Sequence, residues 1–233
     1  MIDTTFDFRS DTPVGKDPDK YSKTLKSYHQ LLWSKPLPNG EEMKLEKGKG
    51  LYYLTWKDFD FGSDSIIVEL RYQRYQRIID EVGKIVGDIE EYYENLIRRS
   101  YSIGGMIIFP KHTNSMNQAR GRNLLISDRW DLTLECIRRY YYDEESPLSE
   151  VIENDKAFYD LFINFKGYVD FFFLQDCVSN DYSIVDIWCG DASFDKSGLP
   201  ETVNDYFQFI RKEHEFLDKR NRRIQEYCIT HGL

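Results

Sequence analysis

The stretch Ser127–Tyr142, SDRWDLTLECIRRYYY, constrains the fold more than any other part of the chain. It reads as a helix that is apolar on most sides. Asp128, Asp131, Glu135 and Arg138 nevertheless recur at spacings of three, four and three, which puts all four side chains on one face. Trp130, Leu134, Ile137 and Tyr141 take a second face, and Leu132, Thr133, Cys136 and Tyr140 a third. A helix with two apolar faces belongs inside a protein. Three carboxylates carried in with it must be answered by cations, because an unanswered buried charge costs several kcal/mol. Arg120, Arg122, Arg129 and Arg139 lie close in sequence, and a guanidinium grips a carboxylate or a phosphate with two parallel hydrogen bonds. Two readings stay open: an internal ion-pair network, or a phosphate, nucleotide or metal site. Mg²⁺ suits acids at this spacing, although three acids on a helix do not specify it.

The remaining elements follow from periodicity and punctuation. Asp17-Pro18 opens a helix that carries Tyr21, Leu25, Tyr28 and Leu32 and stops near Ser34, ahead of Pro36. Residues 41–50 read as a surface loop or an edge hairpin, and 51–56 and 65–70 as strands. Apolar residues from Tyr75 to Ile97 predict one long helix, with Gly83 and Gly87 marking the close approach of another backbone. Met106–Pro110 reads as a buried strand, and Ser146-Pro147 as a helix start. Tyr168–Val178 reads as a central core helix after a break at Gly167, and 184–189 as a short strand. A last helix opens at Leu199-Pro200, and its basic end, Lys219, Arg220, Arg222 and Arg223, reads as a solvated terminus. The sum predicts an α+β fold, predominantly helical with a few short strands, in a single globular domain over 1–233. Within it, a strand/helix/strand segment (1–70) packs on a helical core (71–230).

Charge and motif content narrow the function classes. A net charge of −9 disfavours nucleic acid or an anionic membrane as a partner of the whole surface, though not of a local basic patch. The four cysteines, Cys136, Cys177, Cys189 and Cys228, show no zinc-ligand spacing and read as reduced thiols without a disulfide partner. The N-terminus lacks the pattern of a signal peptide and no apolar run is long enough to span a bilayer, so a cytoplasmic location is expected. There is no Walker loop, dinucleotide fingerprint, nucleophile elbow, kinase set or HExxH pair. His29 is then the best general acid or base on offer; it shares a helix edge with Trp33, and Lys35 follows in the loop. His112 falls on a polar loop, and His214 and His231 on the surface.

Three segments, FDFRSDTPVGKDPDKYSKTLKSYHQLLWSKPLPNG (6–40), ARGRNLLISDRWDLTLECIRRYY (119–141) and GYVDFFFLQDCV (167–178), resemble a bacterial family of uncharacterised proteins. The resemblance brings company without a reaction. In the family pattern the second segment often ends Arg-Arg-His-Tyr; this chain has Tyr140 in place of that histidine, which speaks against an obligate catalytic role there. The resemblance also suggests that the first two segments meet across one cleft, with Arg9, Lys35 and Arg120 facing Asp128, Asp131 and Glu135. The expected function is that of an enzyme on a phosphate-bearing substrate (a nucleotide, a nucleotide cofactor or RNA), in the manner of a toxin or phage-defence effector. His29, Asp131 and Glu135 would be catalytic, and Arg9, Lys35, Arg120, Arg122 and Arg129 would bind phosphate. The alternative is a non-enzymatic module that binds a protein partner and whose ionic stripe is structural.

Overall fold

The chain enters its first helix in two steps. Asp17 caps α1 (Pro18–Tyr21) by accepting from Asp19 N. Ser22 then acts as a new N-cap, accepting from Leu25 N, and α2 (Lys23–Trp33) turns Leu25, His29, Leu32 and Trp33 inward. The computed structural model describes residues 1–49, 54–123, 126–127, 129–195 and 198–233. After α2 the loop folds back on itself: Met43 N donates to Lys35 O (3.1 Å), Leu37 N to Glu41 O (2.7 Å), and Leu45 N to Ser34 Oγ (3.0 Å). This pins the backbone around Lys35.

Four strands, β1 (Glu46–Lys47), β2 (Leu54–Trp56), β3 (Phe59–Ser65) and β4 (Met106–Pro110), form an antiparallel sheet in that order. The β3–β4 register runs from Phe61 opposite Pro110 to Ser65 opposite Met106. β4 is buried at every residue, as the run MIIFP predicts. Of the strand expected over 51–56, residues 51–53 lie outside the described residues. The strand expected over 65–70 is corrected: only Ser65 belongs to the sheet. Beyond it the backbone finds other partners, since Val68 N donates to the Glu213 carboxyl (2.8 Å) and Glu69 O accepts from Tyr206 OH (2.7 Å).

The long helix expected over 75–97 is two, α3 (Gln76–Val86) and α4 (Ile89–Ser100). Gly87 takes a left-handed φ of +82°, and Asp88 caps the new helix by accepting from Glu90 N and Glu91 N. Next come α5 (Met116–Arg122) and α6 (Trp130–Tyr141), the latter buried without interruption from Trp130 to Ile137. α7 (Ser149–Asn154) and α8 (Lys156–Tyr159) follow, and then α9 (Phe165–Phe171), which contains Gly167 instead of breaking there. A Cβ on Gly167 would run into the Phe162 carbonyl and reach 3.1 Å from Pro38 Cγ, so α9 packs against the loop after α2 only because that side chain is missing.

The core helix expected over 168–178 stops at Phe171. Leu174 N donates to Val169 O (2.9 Å) and Phe173 N to Asp170 O (3.4 Å), and Phe173 takes φ +56°. This is a Schellman stop with phenylalanine in the place glycine usually fills. The strand expected over 184–189 is reduced to a single bridge, Val178 opposite Val185. The last helix, α10 (Val203–His231), starts from a capping box of Thr202 and Asp205 and ends at Gly232. The result is one α+β domain, mostly helical, with a single sheet among the described residues. Its centre is aromatic: Trp33 lies 5.1–6.2 Å from Phe171, Phe172 and Phe173, ring centre to ring centre. All four cysteines are free, and among the described residues no helix is long and apolar enough to cross a membrane.

Candidate binding site at Lys35

The acidic stripe is answered from within the chain. Asp131 and Arg129 are both fully buried and form a two-pronged pair (2.9 and 2.6 Å). Asp131 also accepts from Trp188 N (2.9 Å), and Arg129 donates to the Gly198 and Cys189 carbonyls. Glu135 accepts from Arg138 (2.8 and 2.9 Å) and Arg139 (2.9 Å) and is nearly buried. Asp128 lies outside the described residues. Arg120 donates to Thr133 Oγ1 (2.9 Å) and pairs with Asp64. Arg9 is held by Asp7 and Glu94 (2.6 and 2.9 Å), and Arg122 reaches Asn114 (3.1 Å). The expected cleft, with Arg9, Lys35 and Arg120 opposite the stripe, is therefore corrected: each of those arginines is committed to a nearer acid. Guanidinium groups take the places a Mg²⁺ would need, and no cluster of three or more His, Cys, Asp or Glu side chains that could hold a metal occurs among the described residues.

His29 is corrected as an acid/base. It is sealed in the core, and its Nδ1 accepts from Trp33 Nε1 (2.9 Å). Burial pushes its pKa down to about 3, and the nearby Arg220 cation adds to that. A permanently neutral imidazole without a path to solvent relays no protons at neutral pH.

Lys35 is different. It is 9 % exposed, and its ammonium forms no ion pair or hydrogen bond among the described residues. Its neighbours are π-faces: Phe173 at 3.9 Å from Nζ to ring centre, Phe171 at 4.6 Å, Tyr227 at 5.0 Å and Trp33 at 5.4 Å. The side chain lines a pocket of about 490 Å³ whose walls are Pro36, Leu37 and Pro38 on one side and Gly167, Asp170 and Phe171 on the other. Asp170, the one carboxylate lining it among the described residues, is engaged by Lys166, Gln175 Nε2 (3.0 Å) and Tyr182 OH (2.9 Å). Burial first and the Arg220 cation second bring the Lys35 pKa down to about 7, with Asp170 and Cys228 pulling the other way.

Arg220 is the hidden half of this site. It comes from the basic end of α10, which the sequence suggests is solvated, yet it is fully buried. No carboxylate meets it among the described residues. Its guanidinium donates instead to the carbonyls of Phe172 (3.0 and 3.2 Å), Gly104 (2.6 Å) and Met106 (2.8 Å). Arg220 and Lys35 both lie against the Trp33 indole, at 5.9 and 5.4 Å from a ring centre. Two buried cations thus share one aromatic cluster, and neither forms an ion pair among the described residues. Phe171, Phe173, Tyr227 and Arg220 escape a reading that treats aromatic runs as core. The available signal is the position of Arg220 on the apolar stripe of α10, four residues from both Phe216 and Ile224.

No curated protein and no solved structure matches the chain. Residues 2–224 match a family of unknown function, DUF6994, and the chain belongs to that family.

Proposed function

We propose that this protein binds a small phosphate-bearing molecule in the pocket between Lys35 and Lys166. One observation carries the reading: a buried ammonium opens into a pocket whose one lining carboxylate among the described residues, Asp170, is engaged by Lys166, Gln175 and Tyr182 instead of pairing with it. A cation held in an apolar setting costs free energy that an entering anion recovers by pairing with it. Arg220, buried behind the aromatic cluster, adds positive potential and pairs with no carboxylate among the described residues. The volume suits a ligand of mononucleotide size or smaller, and Phe171, Tyr227 and the three residues Pro36, Leu37 and Pro38 offer flat apolar surface for its body. A small molecule fits better than RNA, because the chain as a whole carries −9.

The test is a thermal-shift and calorimetry panel of nucleoside monophosphates, sugar phosphates and inorganic phosphate against wild type and Lys35→Met. A ligand at a hundred times its Kd stabilises the fold by about 2.7 kcal/mol. The expected result is a rise in melting temperature for an organic phosphate that disappears in the variant. A panel without any shift, or a shift that the variant keeps, overturns the reading.

A second reading, that of a protein-binding module, draws on an open groove of about 810 Å³ beside α6, α7 and α8. Asp143, Glu144, Glu145, Glu150, Glu153 and Asp160 line it. Lys156 answers Asp160, and Arg138 answers Glu144. The rest would suit a basic segment of a partner. Salt-sensitive binding of an oligoarginine peptide, lost in Glu150→Gln/Glu153→Gln, would support it, and peptide binding that ignores the variant would end it.

A further inference from the structure

We propose that Lys35 is a covalent amine, forming an imine with an aldehyde or ketone whose far end carries a phosphate. This deepens the phosphate-pocket reading and rests on it. Geometry carries the proposal. The Lys35 backbone is fixed by its hydrogen bonds to Trp33 and Met43, and its side chain lines the pocket. Four aromatic rings surround Nζ, and among the described residues no donor engages its lone pair and no acceptor its protons. Lys166, the other amine lining the pocket, is exposed and pairs with Asp170 at the surface, a solvent-screened contact that an entering phosphate can exchange for its own. A substrate with a carbonyl at one end and a phosphate at the other spans the two amines.

Nature activates lysine nucleophiles by desolvation in an apolar pocket or by a neighbouring cation. Both causes are present here, in the aromatic cage and in Arg220, and together they bring the amine to a pKa of about 7, where half of it is neutral at neutral pH. The step balances without oxidant or reductant. Neutral Nζ attacks the carbonyl carbon and a proton moves from nitrogen to oxygen, giving a carbinolamine. Loss of the hydroxyl with the second nitrogen proton releases one water and leaves the C=N bond. Asp170 is the carboxylate in the pocket wall that can carry the proton between nitrogen and oxygen through water.

The probe is pyridoxal 5′-phosphate, which carries an aldehyde and a phosphate on one flat ring. Full-length protein is incubated with it at pH 7, reduced with borohydride and mapped by peptide mass. Its alcohol, pyridoxine 5′-phosphate, serves as the non-covalent control by calorimetry. At pH 7 an ordinary lysine is neutral about once in a few thousand, against about half for Lys35. Even after allowing for a weaker nucleophile and restricted access, Lys35 should label about tenfold faster than any exposed lysine. The adduct should vanish in Lys35→Met and in Lys35→Arg, the second of which keeps the charge and the alcohol's binding. In wild type, the labelling rate should reach half its maximum near pH 7 and not above 10. That profile needs no variant, so it holds even if a substitution fails to fold. Burial, Arg220, Asp170 and Cys228 set it, and Lys166 and Tyr227 are the other titratable groups lining the pocket. If the alcohol binds wild type but label spreads evenly over the lysines, the imine is overturned and the pocket reading stands. If neither the alcohol binds nor Lys35 labels, both fall.

Discussion

The Lys35 ammonium lies 3.9 Å from the centre of the Phe173 ring, and Phe173 reaches that position from a left-handed backbone, φ +56°. The same residue therefore ends α9 and closes the cage around the amine. A phenylalanine in the left-handed region costs about 1–2 kcal/mol, which glycine does not pay. The ring offsets that cost by its burial and by its contact with the cation.

These two roles separate under substitution. Phe173→Ala loses the ring and keeps the backbone strain, whereas Phe173→Gly loses the ring and relieves it. Both should be less stable than wild type, with glycine the better of the two by about 1 kcal/mol in urea unfolding. In either variant water reaches Lys35, and its titration, followed by NMR of the lysine side chain, should move up from about 7 toward the ordinary lysine range. Equal stability of the two variants would count against the Schellman stop.

Lys35 itself should make stability depend on pH. Its folded pKa lies below the ordinary value, so folding favours the neutral amine. The contribution is fully present above about 10.5 and is lost as pH falls toward about 7. Lys35→Met removes a buried cation that has no carboxylate partner, and should raise the melting temperature at pH 7. The gain should shrink steadily as pH rises toward 10. A variant that is less stable than wild type at pH 7 would mean that an anion of the protein already neutralises the amine.

The contrast between α6 and the Lys35 pocket explains what sequence reveals here. The spacing of Asp131 and Glu135 on an apolar helix forces the presence of counter-cations, and the arginines beside them in sequence supply these. Charge neutrality under burial is a local rule, so it can be read locally. Met106–Pro110 is legible for a similar reason, as an apolar run too short for a helix. The pocket is not local. It needs the loop after α2, the end of α9 and one turn of α10, brought together by contacts far apart in sequence. Gly87 with Asp88, and Phe173 with Leu174, stop helices through backbone geometry that apolar periodicity does not carry. Phe173 is the harder case, because phenylalanine is not a stop signal. Arg220 looked solvated because three other cations flank it; only its place on the apolar stripe marks it as buried.

Arg129 and Asp131 give a stability prediction that separates a structural pair from a site. Both are fully buried, and breaking such a pair strands the survivor without water. Asp131→Asn should therefore cost about 3–5 kcal/mol in chemical denaturation. Glu135→Gln should cost less, since Arg138 keeps Glu144 and both arginines remain partly exposed. The double change Arg129→Met/Asp131→Leu should recover most of the loss. If it is no better than Asp131→Asn alone, the two side chains are not energetically coupled.

His112 ties the loop after β4 to the junction of α7 and α8, and donates to both of its acceptors only when protonated. Its Nδ1 faces the Thr113 carbonyl (2.7 Å) and its Nε2 faces Asp155 (2.8 Å), so both nitrogens meet acceptors. Burial pulls its pKa down, but these hydrogen bonds outweigh that and raise it above 6.5. Folding thus favours the imidazolium. The contribution is fully present below about pH 6.5 and is lost as pH rises through the folded value. The side chain is 42 % exposed, so solvent screens the pair and holds its worth to about 1 kcal/mol or less. Wild type should exceed His112→Gln in urea unfolding at pH 5.5, and the gap should narrow as pH rises. Asp155→Asn should erase the same window, because a neutral amide no longer favours the charged ring. A gap that persists unchanged at pH 8 would assign His112 a packing role in place of an ionic one.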